Sequence, residues 1–253
     1  MLGLGVASNS GLSSDSASMS RQAAFANTKS LDFDGSDDYV NTNYTSNDLF
    51  RGNFSFSYWI NLDSANSVPI GVQHADFYQD SDSFFIQNFN GNINLFHYSN
   101  GDPVIIVGAG TPVSLDTWYH IAVTVTKNSG SNTTYAVKVD NEAVSTSPLY
   151  GLALSEANHN AFEADGNFLA IGACNDNGTP DSFVNGTMDD VAIFTKALSS
   201  SEITAIYNDG VPKDESGHDN LLLYYRFEDD VTDTAGTSNA TNNGATFSSS
   251  VPS

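Results

Sequence analysis

Basic residues and cysteine are scarce in this sequence. Its 253 residues include 8 Lys and Arg against 30 Asp and Glu, which gives a formal net charge of -22. Because contacts to phosphates need clustered Lys and Arg, this composition excludes a DNA- or RNA-binding protein. The same charge disfavours an anionic membrane surface. A single cysteine, Cys174, excludes an intramolecular disulfide, and we expect it to be a buried apolar residue.

Long apolar runs are also lacking. No stretch reaches the length of a transmembrane helix, and the first residues do not contain the basic segment that opens a signal peptide. Residues 1–28 are rich in Ser, Ala, Asn and Gly. This composition predicts an N-terminal arm or linker ahead of a folded domain at residues 29–253.

Short strands and turns dominate the pattern after the arm. In the range 54–62 apolar residues occupy every second position, and the range 118–126 repeats this alternation. Asn90 and Gly91 separate two further apolar runs, and this dipeptide is a strong hairpin signal. The remaining strand candidates are 68–73, 83–89, 92–98, 103–107, 134–140, 142–147, 167–173, 187–195 and 221–228. Many short strands separated by turns predict an all-β sandwich.

One segment predicts a short helix, near residues 199–209. Ser199 and Glu202 have the spacing of a capping box. Ile203 and Ile206 then share one face, and Gly210 stands where a helix C-cap is expected. We expect this helix to cover one edge or end of the sandwich.

Several segments together resemble a known family. The segments 31–40, 54–63, 118–126, 137–145 and 185–210 are similar, in this order, to LamG-like jelly-roll domains of the concanavalin A-like lectin/glucanase superfamily, including those encoded by marine phages. The segment 185–210 is the most specific, because it joins a Gly-x-x-Asp-Asp-Val strand to an Ala-Leu-Ser-x-x-Glu-Ile helix. The resemblance implies a two-sheet antiparallel jelly-roll sandwich.

The end of the chain departs from that family pattern. The segments 221–230 and 243–247 resemble the opening strands of such domains, although here they follow the closing helix. A sandwich that lacked these strands would expose apolar edges. We therefore expect residues 221–247 to supply closing strands within the same chain. The alternative is that they pair with a neighbouring subunit.

The sequence gives little support to catalysis. The resemblance implies that a glucanase would carry two Glu in the spacing Glu-x-Asp-x-x-Glu, one as nucleophile and one as acid. None of the six Glu has this spacing, since Glu163 and Asp165 lack a third member. The chain also lacks a Gly-x-Ser-x-Gly nucleophile motif, and its three Arg are too few for the arginine cluster of a sialidase. We therefore expect a non-catalytic protein.

Two groups of acidic residues are candidate ligands of a structural Ca²⁺, which prefers six to eight oxygen ligands. One group lies around Gly35, and the other lies in the strand of the family motif. Because neighbouring strand residues point to opposite faces, at most one acid of the second group is expected at a shared site. The alternative is that these acids accept hydrogen bonds from backbone N–H groups of turns and bind nothing. The candidates are Asp34, Asp37, Asp38, Asp189 and Asp190.

A glycan site is a further hypothesis. The resemblance implies that loop Asp and Asn bind sugar hydroxyls and that an aromatic ring stacks on the sugar. The candidates are Asn175, Asp176, Asn177, Tyr78, His97 and Tyr98. The alternative is that these aromatic residues belong to the core or to the sheet surface.

The leading functional hypothesis is a surface-exposed structural or attachment protein of a virion, as a capsid decoration or fibre. Its N-terminal arm would anchor it to other virion or surface proteins in a larger assembly. A glycan-binding adhesin or lectin module, on a virion or a cell surface, is the alternative. A glycoside hydrolase of the same superfamily is the third hypothesis, which the missing Glu spacing disfavours.

Overall fold

The computed structural model describes residues 25–73, 82–99, 102–109, 113–150, 154–164, 166–236 and 238–253. Most of the predicted N-terminal arm, and the candidate Tyr78, lie outside these residues. Within the described residues, no helix combines the length and the apolar character that crossing a membrane would require.

Two antiparallel sheets form the described structure, and the predicted all-β sandwich is confirmed. The strands of the first sheet are β1 (Ser30–Asp34), β3 (Phe54–Leu62), β8 (Trp118–Thr126), β9 (Thr134–Val139), β10 (Glu142–Ala143), β15 (Asn185–Phe194), β16 (Leu221–Tyr225) and β18 (Thr246–Ser248). They follow the order β10-β9-β8-β3-β15-β1-β18, and β16 pairs with the second half of β15.

The second sheet has its own set of strands, and the described residues also include short helices. Its strands are β2 (Tyr39–Asn41), β4 (Asn66–Gln73), β5 (Ser83–Phe89), β6 (Asn92–Ser99), β7 (Asp102–Ala109), β11 (Ser145–Tyr150), β12 (Ala170–Ile171), β13 (Cys174–Asp176), β14 (Thr179–Asp181) and β17 (Thr241–Asn243). Their order is β11-β7-β6-β5-β4-β12-β2-β17, with β13 parallel to β4 and β14 beside β13. The helices are α1 (Asp48–Arg51), α2 (Glu156–Ala161) and α3 (Ser200–Tyr207).

The core lies between the sheets and follows the alternation that the sequence shows. Phe54, Phe56 and Tyr58 of β3 point inward and are completely buried. The ring of Phe84 in β5 meets Phe54 edge-on at 5.0 Å and stacks on Phe56 at 5.3 Å between ring centroids. These aromatic contacts hold the two sheets together, because buried aromatic side chains contribute the most apolar area per residue.

Helix α3 covers the outer face of the first sheet. The predicted capping box is present, because Ser199 accepts a hydrogen bond from the backbone of Glu202 and Glu202 accepts one from the backbone of Ser199. Ile203 and Ile206 are buried on this face. The helix ends at Asn208, which has a left-handed backbone, rather than at the predicted Gly210. Asn tolerates this conformation, so the helix stops two residues early.

Two predicted strands take a different form in the structure. The candidate 142–147 is divided into β10 in the first sheet and β11 in the second, so the chain passes from one sheet to the other at Val144. The candidate 167–173 is reduced to the two residues of β12. Sheet membership is a non-local property, which explains why local alternation did not show these changes.

The C-terminal segment lies within both sheets of this chain. Strand β16 pairs with β15, β17 pairs with β2, and β18 pairs with β1. Leu223, Tyr224 and Tyr225 of β16 are completely buried. The segment after α3 therefore contributes to the same core as the strands before it.

Candidate functional site

The strongest candidate for a binding site is a groove on the face of the second sheet that points away from the core, here called the outer groove. In β5, Phe84 and Ile86 belong to the core, and the alternate residues Phe85 and Gln87 point to the outer face. The groove has a volume of about 210 Å³. Its lining residues are Val68, Gln73, Phe85, Gln87, Phe96, Cys174, Asp176, Asp181 and Ser182.

A row of parallel aromatic rings forms one side of the outer groove. Phe85 and Phe96 stack with ring centroids 4.3 Å apart and an interplanar angle of 13°. Tyr98 continues the row from the same strand as Phe96, at 6.5 Å and 5°. Cross-strand neighbours on one face of a sheet are close enough for this stacking. The row gives one side of the groove an apolar surface, in which Phe85 itself is only 4 % exposed.

Polar side chains surround that apolar surface. Gln73 and Gln87 supply amides, and Asp176 and Asp181 supply carboxylates from the hairpin of β13 and β14. Amides both donate and accept hydrogen bonds, and ionised carboxylates accept them. An apolar surface beside a few polar groups is the usual construction of a small-ligand site.

The β13–β14 hairpin is held in place by Asn175. Its side-chain amide donates to the carbonyl of Phe168 at 2.8 Å, and its side-chain oxygen accepts from the backbone of Gly178 at 2.9 Å. Asn175 is completely buried. Asn177 turns the hairpin with a left-handed backbone, at φ 47°. Asn175 therefore positions Asp176 and cannot itself touch a ligand in the groove.

Cys174 lies at the groove as a buried, unreactive thiol. It is 3 % exposed and contacts Val68 and Phe85. Burial raises its pKa, and the nearby charges of Asp181 and Asp176 raise it further. Because the thiolate is the nucleophilic form, this environment makes Cys174 a poor nucleophile. Its expected role as a buried apolar residue agrees with this position.

The predicted glycan residues are only partly brought together. Asp176 lines the outer groove and Tyr98 ends the row of rings. His97 instead points into the core, where it is completely buried. Its ring centroid lies 5.5 Å from that of Phe84. Burial lowers the pKa of His97 well below its ordinary value, so its ring is neutral. Because successive strand residues alternate between faces, His97 and Tyr98 cannot serve one site.

Four groove residues were not predicted from the sequence: Phe85, Phe96, Gln73 and Gln87. The segment 83–89 was identified as a strand, but its run of apolar residues does not show which alternate set faces the core. The packing of the two sheets distinguishes the faces, because Phe84 lies in the core while Phe85 lies opposite Phe96 at the groove. The hairpin Asn90-Gly91 was the available signal, because a tight turn fixes the register of these strands.

Asp34, Asp37 and Asp38 form one compact cluster, as predicted for the first group of candidate calcium ligands. Their carboxylate oxygens lie within 4.8 Å of one another. Asp38 also accepts a hydrogen bond from the backbone of Asp34 at 2.9 Å, and Asp34 accepts one from the backbone of Ser36 at 2.8 Å. The cluster therefore combines the ligand type that Ca²⁺ prefers with the turn-stabilising hydrogen bonds of the alternative hypothesis.

Asp189 and Asp190 do not join this cluster. Asp34 is opposite Asn185 in the register of β1 with β15. Asp189 is four residues further along β15, which corresponds to about 14 Å at the rise of a strand. The structure therefore separates the two predicted groups of metal ligands.

A β-bulge changes the expected arrangement of Asp189 and Asp190. The register of β15 with β3 shifts between Asp189 and Ala192, and Asp190 has a left-handed backbone at φ 45°. One extra residue in the strand places both acids on its outer side. Asp189 is 0 % exposed and Asp190 is 7 % exposed. The two acids therefore do not divide between an inner and an outer face.

Asp190 is buried and accepts a hydrogen bond from Tyr224. The hydroxyl of Tyr224 lies 2.6 Å from Oδ1 of Asp190 and 3.1 Å from the carbonyl of Lys213. A tyrosine hydroxyl has one hydrogen to donate. The shorter distance indicates that this hydrogen is donated mainly to Asp190.

The electrostatic environment of this pair favours protonated carboxyls. Burial raises the pKa of Asp190 to about 7, the charges of Glu215 and Glu228 act in the same direction, and the hydrogen bond from Tyr224 and the charge of Arg226 oppose them. Burial and the charge of Asp190 raise the pKa of Asp189 to about 9. Asp189 also accepts a hydrogen bond from the side chain of Asn27 at 3.0 Å. With these raised pKa values, the two carboxyls are partly protonated near neutral pH.

Comparisons with known proteins identify the family of this chain. A profile described as the Laminin_G_3 family of the concanavalin A-like lectin/glucanases superfamily matches residues 34–204. The chain therefore belongs to this superfamily, and the resemblance to LamG-like domains is confirmed at that level. A comparison with curated proteins found no match.

Solved structures with a similar fold include proteins named for carbohydrate binding. One from Bacteroides ovatus ATCC 8483, described as a carbohydrate binding protein, has a TM-score of 0.58 at 19% identity; the alignment covers 90% of this chain and 62% of that one. The Ruminococcus gnavus IT-sialidase CBM40 bound to alpha2,3 sialyllactose has a TM-score of 0.52 at 11% identity, with coverages of 70% and 97%. A leech intramolecular trans-sialidase has a TM-score of 0.50 at 12% identity, with coverages of 70% and 28%. At these low sequence identities, the similarity to these structures shows a shared fold only.

Proposed function

Because the chain belongs to the concanavalin A-like lectin/glucanase superfamily, we propose that it is a non-catalytic glycan-binding module that holds a saccharide in the outer groove. The observation that carries the proposal is the row of Phe85, Phe96 and Tyr98 beside the amides and carboxylates of the groove. The apolar C–H groups of a sugar ring suit the apolar side of the groove, and its hydroxyls suit the polar rim. The carbohydrate-binding names of two fold neighbours support the same reading.

The dimensions of the groove indicate how a saccharide would bind. Its volume of about 210 Å³ is below the roughly 300 to 1,000 Å³ of pockets that enclose drug-sized ligands. We therefore expect one sugar ring to occupy the groove while the rest of a longer glycan lies along the sheet. Because the groove encloses few ligand atoms, we expect a single groove to bind a saccharide with modest affinity.

We propose that binding occurs without cleavage. Glycoside hydrolysis requires a general acid and a second carboxylate on opposite sides of the scissile bond. Asp176 and Asp181 lie on neighbouring strands of one hairpin, and the residues that line the groove include no Glu. Incubation of the protein with a bound oligosaccharide should therefore give no shorter product on chromatography. Release of product that is lost in Asp176→Asn would instead establish a hydrolase.

Glycan binding is tested directly with a glycan array and two groove variants. Phe96→Ala removes the central ring of the row, and Gln87→Leu removes hydrogen bonding while it keeps most of the side-chain volume. Both should weaken binding to the glycans that the wild type selects. Phe89→Ala is the matched control, because Phe89 is on the same strand as Gln87, is 47 % exposed and does not line the groove.

Thermal unfolding of each variant separates loss of binding from loss of fold. Wild-type binding that is retained by folded Phe96→Ala and folded Gln87→Leu would place the glycan site elsewhere. Absence of binding by the wild type to every glycan would refute the proposed function.

We also propose that this module is located on the surface of a virion or a cell. An attachment role is compatible with glycan binding, and the charge of -22 disfavours nucleic acid as a partner. Anchoring through the N-terminal arm concerns residues 1–24, which lie outside the described residues. Co-purification of the protein with particles, lost when residues 1–24 are deleted, would support a virion component.

A structural Ca²⁺ stays a separate prediction. The structure narrows its candidate ligands to Asp34, Asp37 and Asp38. The cluster lies in the turn between β1 and β2, and its three residues do not line the outer groove. We therefore expect calcium to affect stability and not to contact the glycan.

A further inference from the structure

Two completely buried histidines are in contact where α2 lies against β6. His97 belongs to β6 and His159 to α2, and their ring centroids are 5.4 Å apart. Neither ring lines the outer groove. Histidine is the side chain whose ordinary pKa places its change of charge near neutral pH. A pair of buried histidines can therefore make a local contact sensitive to acid.

His159 ties α2 to two other parts of the chain. Its Nε2 lies 2.8 Å from the carbonyl oxygen of Gly52, which caps α1, and its Nδ1 lies 3.0 Å from the hydroxyl of Thr133. A carbonyl only accepts, so Nε2 carries the hydrogen and Nδ1 accepts from Thr133. The neutral ring thus has a partner at each nitrogen. Because α2 has six residues and so short a helix is unstable alone, these contacts stabilise it.

His97 lies in surroundings that suit only a neutral ring. Its Nδ1 is 3.2 Å from the hydroxyl of Tyr135, and its Nε2 has no hydrogen-bond partner among the described residues. The ring centroids of Phe54 and Phe84 are 6.0 and 5.5 Å away. A second proton would bury a charge and a donor without a partner beside these rings, which costs free energy.

The charges nearest to the pair also oppose a proton on it. Burial lowers the pKa of His97, and the charge of His159 lowers it further. Burial also lowers the pKa of His159; the hydrogen bond to Gly52 opposes this shift, and the charge of Lys127 adds to it. Two protonated rings in contact would repel each other.

The charged side chains of the adjoining elements have other partners or lie in solvent. On α1, Arg51 pairs with Glu163 at 3.7 Å and Asp48 is exposed. On α2, Glu156 accepts a hydrogen bond from a backbone N–H of the turn before β9. Tyr135 of β9 is uncharged, because burial raises its pKa. None of these acids is a cause of the lowered pKa of either histidine.

From this geometry we infer that His97 and His159 form an acid-sensitive lock, here called the histidine lock, that holds α2 against α1 and β6. With both rings neutral, His159 ties α2 to Gly52 and Thr133. In acid, α2 detaches, the ring of His159 reaches water and the core beside His97 opens. The two sheets stay paired, because backbone hydrogen bonds that do not involve these rings join their strands.

The direction of the pH effect follows from the lowered pKa values. In the detached state an exposed histidine has the ordinary pKa of 6.5, so this state binds more protons than the closed one. The lock is therefore complete above that pH and weakens as the pH falls below it, toward the folded pKa values. For each histidine that becomes exposed, the ratio of detached to closed molecules rises by up to about tenfold per pH unit.

Amide hydrogen exchange of the full chain, followed by NMR, tests the histidine lock. The observed rates are compared with those of an unstructured chain at the same pH, which gives protection factors. Between about pH 7 and pH 5, the protection of the α2 amides should fall by about tenfold or more. These include the amide of His159, which donates to Ser155. The amides that pair β3 with β8 should keep their protection. Unchanged protection in α2, or an equal loss in β3 and β8, would overturn the inference.

Two variants separate the pair from general effects of acid. His97→Gln removes one titrating ring and keeps an amide beside the hydroxyl of Tyr135, so the acid-dependent loss of protection in α2 should shrink severalfold. His218→Gln is the control, because His218 packs on Phe194 of the first sheet, and it should behave as the wild type does. An equal loss in the wild type and in folded His97→Gln would contradict the role of the pair.

NMR of the histidine rings in the wild type gives a measurement that does not depend on a variant folding. At about pH 7 the ring of His159 should carry its hydrogen on Nε2. At about pH 5 both rings should stay neutral in the closed molecule. Protonation of His159 at its ordinary pKa, with α2 still protected, would overturn the inference.

Discussion

Replacing Asp190 with Asn should flatten the dependence of stability on pH. Burial is the main cause that raises the folded-state pKa of Asp190 from the ordinary value of 3.8 to about 7. The unfolded carboxyl keeps the ordinary value, so the folded state binds one more proton between these limits. The stability from this proton is fully present below the unfolded pKa. It declines as pH rises and is lost once the pH has passed the folded pKa.

The magnitude follows from that single proton. One extra proton in the folded state changes the free energy of unfolding by about 1.4 kcal/mol per pH unit. Between about pH 5 and pH 7, the wild type should therefore lose about 2 to 3 kcal/mol that Asp190→Asn does not lose. Acids that do not interact with Asp190 titrate alike in both proteins, so their contributions cancel in the difference. Asp189 loses the charge of Asp190 in the variant but keeps burial, the largest cause of its raised pKa. Asn keeps an oxygen that can accept from Tyr224, so the variant retains the local geometry.

Urea unfolding followed by tryptophan fluorescence measures this difference. The free energy of unfolding of the wild type and of Asp190→Asn is determined at about pH 5, 6 and 7. The slopes of this free energy against pH are then compared. Asp209→Asn is the control, because it removes an acid that is exposed to solvent, and its slope should match that of the wild type. Equal slopes for the wild type and Asp190→Asn would refute the protonated state of the buried pair.

Three other local features give measurable expectations. Gly172→Ala should cost about 3 kcal/mol or more, because its backbone has φ +82° and the added carbon would lie 2.2 Å from the ring of Phe33. Gly217→Ala is the control, because a carbon added there would have no neighbouring atom within 4 Å, and its urea midpoint should be close to that of the wild type. Equal urea midpoints for Gly172→Ala and Gly217→Ala would contradict the steric reasoning. Ser199→Ala should cost about 1 kcal/mol through loss of the capping box and lower Tm by a few degrees; an unchanged Tm would show that the cap is dispensable. Calcium should raise Tm in the wild type and not in Asp37→Asn, and identical melting curves in calcium and in EDTA would refute the calcium prediction.

The elements that depend on local order were predicted well. The alternation of β3 and β8 and the hairpin of β5 and β6 follow the period of two that the sequence shows. The start of α3 follows from the hydrogen bonds between Ser199 and Glu202, which involve residues three apart. Such signals involve near neighbours in the chain, so no knowledge of the fold is needed to detect them.

The candidate site was predicted less completely, because its residues come from distant parts of the chain. Asp176 and Tyr98 were identified, but the groove between them depends on the parallel pairing of β13 with β4. His97 was placed beside Tyr98 in the hypothesis, although strand alternation directs it into the core. The bulge at Asp190 likewise changed which faces the two neighbouring acids occupy.

The sequence by itself determined the sandwich class, the capped helix and the excess of acidic over basic residues. These properties are carried by composition, by periodicity and by contacts within a few residues. The tertiary structure alone decided that Phe85 and Phe96 face outward beside Asp176 and that Asp189 and Asp190 are buried together. Strand register and sheet order decide these matters, and both depend on pairing between residues that are far apart in the chain.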